Sequence, residues 1–255
     1  VRMGLTAVVT GGASGIGKAT VLRLLEEGWA VIAIDRAEDA LAALKRSCAN
    51  PDLSVYACDI SDEGQTAETF AQIRATHTSM NGLVLSAGIL ETGRLEDMHA
   101  EAFDRVFSVN VRGLWLCARA AMPAIRHYAD NGERARIVNL ASVAGIRHKI
   151  NSGAYAASKA AVIALTKVMA VEMAEAGVLV NAVAPATVDT PMIAPHVAAG
   201  SNTGYKTSGT SPLGRIAQPE DIGAVIRFLL SDDAGYVTGT VTPVDGGTVA
   251  AFVPK

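Results

Sequence analysis

Residues 5–35, LTAVVTGGASGIGKATVLRLLEEGWAVIAID, constrain the fold more than any other stretch. LTAVVT is a β-rich apolar run that stops at glycines, GIGKATVLRLLEEG follows with helical periodicity and closes on Gly28, and WAVIAID is a second apolar run. Strand, glycine turn, helix and strand make the βαβ unit of a parallel sheet, whose strands are covered on both faces and read as continuous apolar runs. The unit then repeats: a helix near 38–48, the strand LSVYACD ending at Asp59, a helix to about Thr76, and the strand GLVLSAG. Helical stretches at about 101–127, around Tyr155 and in QPEDIGAVIRFLLSD alternate with the further strands ARIVNLAS, GVLVNAVAP and YVTGTVTPVDGG. With 255 residues, half of them apolar, the chain is expected to form one α/β domain over 1–255, doubly wound around a mostly parallel sheet.

In such a sheet, ligands sit outside the carboxyl ends of the strands. The first turn, Thr10, Gly11, Gly12, Ala13, Ser14, Gly15, Ile16, Gly17, has glycines that let a backbone approach a pyrophosphate at the N-terminus of the next helix. Its spacing is G-x-x-x-G-x-G, which taken alone reads equally as a tight structural turn; the flanking strand and helix favour a dinucleotide. Asp35 ends the second strand where a carboxylate can accept from the adenosine ribose, and Arg36 beside it could instead welcome a 2′-phosphate. Asp59 with Ile60, and Ser86, Ala87 and Gly88, end the third and fourth strands and are expected to face the same crevice. The segment 186–212, irregular and rich in Pro, Ser, Thr and Gly, is read as a lid over substrate.

The fifth strand delivers Ser142, and thirteen residues on, in an Ala-rich helical stretch, come Tyr155 and Lys159, four apart and so one turn apart on the same face. A free phenol titrates near 10, and a neighbouring cation favours its phenolate. Such a phenol can exchange a proton with an alcohol or carbonyl oxygen while the Ser142 hydroxyl holds that oxygen. Y-x-x-x-K by itself is a loose pattern that a surface helix also satisfies. Asn110, on a mostly apolar helical segment, either satisfies neighbouring backbone or holds a water near the site. Arg147, His148 and Lys149 lie between Ser142 and Tyr155; they read either as a solvated basic patch or, for Arg147 and Lys149, as partners for an acid group on the substrate.

Composition removes several classes. The net charge is −3, with no basic stripe to track a phosphate backbone, so no nucleic-acid partner is expected. Cys48, Cys58 and Cys117 are odd in number and widely spaced, without a C-x-x-C pair, which fits free thiols in a reducing compartment. The His residues show no zinc spacing, and no metal is expected. The apolar segment around Ala160 is broken by Lys167 and Glu172, so neither a membrane span nor a signal peptide is read, and the cytoplasm is the expected location.

Together these motifs, in this order, resemble the short-chain dehydrogenase/reductase family across essentially the whole chain. Thr10 to Gly17 matches its T-G-x-x-x-G-x-G turn, Asp59 its adenine-contacting acid, and Asn110, Ser142, Tyr155 and Lys159 its catalytic tetrad. The resemblance implies that Tyr155 is general acid/base and that Ser142 positions the substrate oxygen. Lys159 would tune Tyr155 and bind the nicotinamide ribose, and Asn110 would hold a proton-relay water. It also implies that Pro185, Val188 and Thr190 contact the nicotinamide carboxamide, that seven strands are ordered 3-2-1-4-5-6-7, and that the chain forms a homotetramer. Two positions depart from the family pattern: Ser86 stands where Asn usually opens N-A-G, and Ala186, where Gly usually follows the proline, adds a methyl that narrows the substrate pocket.

The expected function is therefore hydride transfer between NAD and a small secondary alcohol or its ketone. One alternative is reduction of 3-oxoacyl thioesters with NADPH, which Arg36 favours and Asp35 disfavours. Another, of a different class, is a dinucleotide-sensing protein without turnover, for which an intact Ser, Tyr and Lys set would have little use.

Overall fold

A computed structural model describes residues 4–130, 132, 134–195 and 211–250. Seven parallel strands form one sheet in the order β3-β2-β1-β4-β5-β6-β7. They are β1 (Thr6–Thr10), β2 (Ala30–Asp35), β3 (Leu53–Ala57), β4 (Gly82–Leu85), β5 (Ala135–Leu140), β6 (Val178–Pro185) and β7 (Val241–Val244). The helices are α1 (Gly15–Glu26), α2 (Glu38–Cys48), α3 (Glu63–Thr76), α4 (Ala100–Phe107), α5 (Leu114–Ala129), α6 (Gly153–Glu172) and α7 (Pro219–Leu230). Every pairing is parallel, so each strand must be reached by a crossover, and the crossovers supply the two helical layers.

The two faces of the strands take different partners. Val8, Ile32, Leu83, Ile137 and Val180 point to one side, where they pack with Phe70 and Ile73 of α3, Leu114 and Ile125 of α5, and Val162 and Met169 of α6. Val9, Val31, Val84, Val138 and Val183 point to the other, against Val21 and Leu24 of α1, Leu41 and Leu44 of α2, and Ile222 and Ile226 of α7. Each fully buried aliphatic or aromatic side chain contributes about 1.5–3 kcal/mol, which is why strands covered twice need apolar residues at consecutive positions.

Two segments differ from what periodicity predicts. The single helix expected over 101–127 is two α-helices joined by a π-helical turn, Ser108–Gly113. Helix α6 runs for 20 residues and is long and apolar enough to cross a membrane by length and composition. It instead buries Val162, Thr166, Met169 and Ala170 against the sheet, and it carries Lys159 and Lys167.

The first turn depends on the absence of side chains. A Cβ at Gly17 would lie 2.0 Å from the carbonyl oxygen of Gly11, whereas one at Gly223, in the middle of α7, would meet the α1 backbone at an ordinary 3.7 Å. The same chemical change should therefore have opposite signs at the two positions. Gly17→Ala is expected to destabilise by roughly 1–3 kcal/mol through overpacking, and Gly223→Ala to stabilise by up to about 1 kcal/mol through reduced unfolded-chain entropy. Urea unfolding of both variants checks the contrast.

Candidate active site

The carboxyl ends of the strands open into a cleft of about 700 Å³. Its floor is the turn after β1. Gly11 adopts φ +66°, and a Cβ there would lie 2.8 Å from the Cα of Ala87, so only glycine lets the ends of β1 and β4 come together. Thr10 Oγ1 accepts from the Ala87 N–H at 3.2 Å and ties the same two ends. The sheet-end contact thus survives with Ser86 at the position where the family pattern has an amide.

Ser14 precedes α1 in extended conformation and makes no side-chain cap, and the first turn of the helix carries no acid. The first-turn N–H groups have no intrahelical acceptor and carry the positive end of the helix dipole into the cleft, where Gly15, Ile16 and Gly17 form the wall. Gly15, at φ +50°, passes within 3.1 Å of Thr190 if given a Cβ. An uncapped helix start beside close-packed glycines fits a pyrophosphate.

To one side of this cradle are the carboxylates. Asp35 Oδ2 accepts from the Ala13 N–H at 3.1 Å and Oδ1 from the Ala37 N–H at 3.0 Å, leaving further acceptor capacity on both oxygens toward the cleft. Arg36 also lines the wall. Asp59 Oδ1 accepts from both the N–H and the hydroxyl of Ser61, at 2.9 and 2.7 Å, so its Oδ2 is spare. Ile60, Ser86, Ala87 and Gly88 complete this end.

On the other side stand Ser142, Tyr155 and Lys159. Ser142 begins a 3₁₀ turn, Val143–Gly145; its Oγ accepts from the Ala144 N–H at 3.1 Å and donates to the Pro185 carbonyl at a long 3.4 Å. Gly145 lets this turn press on α6, since a Cβ there would lie 2.7 Å from the Lys159 carbonyl carbon. Lys159 is only 5% exposed, its Nζ donates to the Leu140 carbonyl at 2.7 Å and lies 5.8 Å from the centre of the Tyr155 ring. Burial pulls its pKa from 10.5 down to about 8, and no carboxylate among the described residues pairs with it.

Asn110 sits inside the π turn with both ends of its amide bonded. Oδ1 accepts from the Ile89 N–H at 2.8 Å, and Nδ2 donates to the Ile89 carbonyl and to Ser158 Oγ, both at 3.0 Å. The side chain satisfies neighbouring backbone, as one of the two sequence readings has it; both donor hydrogens are used, and Oδ1 keeps a second acceptor lone pair.

Beyond the proline, Pro185, Ala186, Val188 and Thr190 reach the cleft. The expected lid, 186–212, begins as an anchored segment, because Asp189 N–H donates to Ala217 and Ala217 N–H to Thr187. Residues 196–210 lie outside the described residues.

Arg147 and Lys149 correct the expectation of a basic substrate contact. Neither lines the cleft. The Arg147 N–H folds back onto the Val143 carbonyl at 2.7 Å, which turns the chain outward, and the guanidinium donates to the Thr248 carbonyl at 3.0 Å. Burial, and then the like charge of Arg147, pull Lys149 down to about 8. Met192 and Ile193, within the segment read as a lid, line the cleft, and so do Leu90, Glu91, Arg105 and Val109, which were not read from the sequence. Glu91 and Arg105 form an ion pair at 2.6 Å across 14 residues, and no short motif marks such a pair.

A family model described as enoyl-(acyl carrier protein) reductase matches residues 11–249. The chain belongs to the short-chain dehydrogenase/reductase family, and it is an oxidoreductase. It is 40% identical to cis-4-hydroxycyclohexanecarboxylate dehydrogenase of Sinomonas cyclohexanicum, over 96% of each chain. It is 37% identical to 2-dehydro-3-deoxy-L-rhamnonate dehydrogenase (NAD(+)) of a Sphingomonas species, over 96% of this chain and 95% of the relative. Among solved structures, 3-ketoacyl-(acyl-carrier-protein) reductase from Brucella melitensis complexed with NADH superposes with a TM-score of 0.89 at 30% identity, covering 96% of this chain and 98% of that one.

The buried Lys159 generates a pH prediction. With a folded pKa of about 8 against 10.5 unfolded, the penalty for burying its charge is fully present below pH 8, fades as pH rises, and is gone above 10.5. Its size at neutral pH is about 3 kcal/mol, from roughly 1.4 kcal/mol per unit. Relative to a Lys159→Met variant, the dinucleotide-free wild type should therefore gain stability between about pH 8 and pH 10. Denaturant unfolding of both proteins across that range checks this; a pH-independent difference would mean that Lys159 titrates normally.

Proposed function

We propose that the protein is an NAD-dependent dehydrogenase or ketoreductase of a small secondary alcohol, with Tyr155 as its general acid/base. The observation that carries this is the arrangement of one cleft, with Ser142, Tyr155 and Lys159 at one end, Asp35 and Asp59 at the other, and an uncapped glycine-flanked helix start between them. A bound dinucleotide supplies the hydride acceptor or donor. In the oxidising direction the substrate hydroxyl lies against Ser142 Oγ and gives its proton to the Tyr155 oxygen; in reduction the Tyr155 hydroxyl returns a proton to the carbonyl oxygen. Lys159, held by Leu140, favours the phenolate when charged and offers its remaining N–H donors to a ribose hydroxyl.

Asp35 supports NAD over NADP, because a carboxylate already braced by two backbone N–H groups accepts from a ribose diol and repels a 2′-phosphate at the same place. Among the described residues no such bond braces Arg36. The apolar wall of Leu90, Met192 and Ile193, narrowed by Ala186, suits a compact substrate. A thioester on a phosphopantetheine arm is the second reading; toward its phosphodiester the charge of Arg105 at the cleft wall is offset by Glu91, which pairs with it at 2.6 Å. Trp115, Val168 and Val171, exposed on α5 and α6, offer apolar surface for the homo-oligomer that family membership suggests.

The test is oxidation of a panel of secondary alcohols with NAD and with NADP, by the wild type, Tyr155→Phe and Asp35→Ala. The wild type should prefer NAD in kcat/KM, Tyr155→Phe should lose turnover by about a hundred-fold or more while still binding NADH, and Asp35→Ala should shrink the NAD preference by about ten-fold. Preference for NADP in the wild type would make Arg36 the deciding residue, and turnover by folded Tyr155→Phe would move proton transfer elsewhere.

A further inference from the structure

The π turn Ser108–Gly113 faces two ways. Asn110 points inward to Ile89 and Ser158, beside the reacting end of the cleft. Arg112, two residues on, points outward to the turn between β3 and α3. Its Nη1 donates to the Ser61 carbonyl at 2.7 Å and its Nη2 to Glu63 at 3.0 Å. Next along, Gly113 has no room for a side chain, because a Cβ would lie 2.9 Å from Ile60 Cγ1 and 3.0 Å from the Ile60 carbonyl oxygen. The π turn is thus seated on residues 60–63, and the Arg112 bond fastens the seat.

Ser61 is also the residue that orients Asp59. Its N–H and its hydroxyl both donate to Asp59 Oδ1, which holds this cleft-lining carboxylate from one side. The Ser61 carbonyl, N–H and hydroxyl all hang on one Cα, so a shift of residue 61 displaces both donors. Arg112 touches nothing in the cleft itself, and its guanidinium is half-exposed, so its influence on a ligand must pass through Ser61 and Asp59.

We propose that Arg112 is a positioning residue for the adenine half of the dinucleotide: by holding the Ser61 carbonyl it fixes the Asp59 carboxylate and keeps that end of the cleft in register with the π turn that carries Asn110. The proposal rests on the reading that Asp59 faces adenine. It predicts a signature that general loosening would not give, a loss confined to adenine recognition with the proton-transfer end intact.

The experiment compares wild type, Arg112→Met, Arg112→Lys and Glu63→Gln in alcohol oxidation, with 5′-AMP as competitor against NAD. In Arg112→Met the KM for NAD and the inhibition constant of 5′-AMP should each rise about five-fold, with kcat and the alcohol KM within about two-fold of wild type. Arg112→Lys keeps a donor for the Ser61 carbonyl and should restore most of the loss. Glu63→Gln leaves that bond in place and should stay near wild type. Equal 5′-AMP inhibition of wild type and Arg112→Met, or a Glu63→Gln loss as large as that of Arg112→Met, would overturn the proposal. If 5′-AMP does not compete with NAD even in the wild type, the adenine reading of Asp59 fails, and the proposal with it.

Discussion

A lysine ammonium buried in the protein, satisfied by one backbone carbonyl and opposed by no carboxylate among the described residues, is the constraint on which the site depends. Such a group costs stability, and helix α6 could be packed more favourably with an apolar residue at that position. What the structure builds around it explains its place. Leu140 ends β5, so its carbonyl meets Lys159 at the point where the sheet opens; Gly145 brings the turn that begins at Ser142 onto the α6 backbone; and Tyr155 stands one helical turn before the ammonium. One buried cation thus registers a strand end, a turn and a helix against one another. Perturbed ionisable groups gather where proton chemistry is done.

The second constraint is the π turn. Residues two apart on a helix face nearly opposite sides, about 200° apart in a regular α-helix, so neighbours in one turn can bind different segments. Here Asn110 binds the segment after β4, beside the reacting end of the cleft, while Arg112 binds the turn after β3. π turns are uncommon and cluster at functional sites, and this one holds both residues, Asn110 and Arg112, that make these contacts.

Much of the fold was legible because parallel strands buried on both faces leave an unmistakable signature, runs such as AVVT and AVIAID without alternation. The glycine turn was legible for a related reason: Gly11, Gly15 and Gly17 each stand where a Cβ would meet backbone or a neighbouring side chain too closely. Asp35, Asp59, Ser142, Tyr155 and Lys159 could be placed because each lies at a strand end or one helical turn from its partner. The rest was hidden for physical reasons. Apolar periodicity does not distinguish an α-helix from one with a single widened turn, so the amide partners of Asn110 could not be named from it. Arg147 and Lys149 lie between two anchored residues, yet a backbone bond from Arg147 to Val143 carries the intervening segment outward. The Glu91–Arg105 pair joins a loop to a helix that only tertiary packing brings together.

That Tyr155 and Lys159 act as one unit is tested most directly by a double-mutant cycle of kcat, measured at saturating dinucleotide so that any weakened ribose contact is removed from the comparison. If the two residues form a single proton-transfer device, Tyr155→Phe and Lys159→Met will each lose most of the activity, and the double variant will be no slower than the worse single variant by more than about three-fold. If the two losses multiply, Lys159 acts independently of the phenol, and the pair is not a single device.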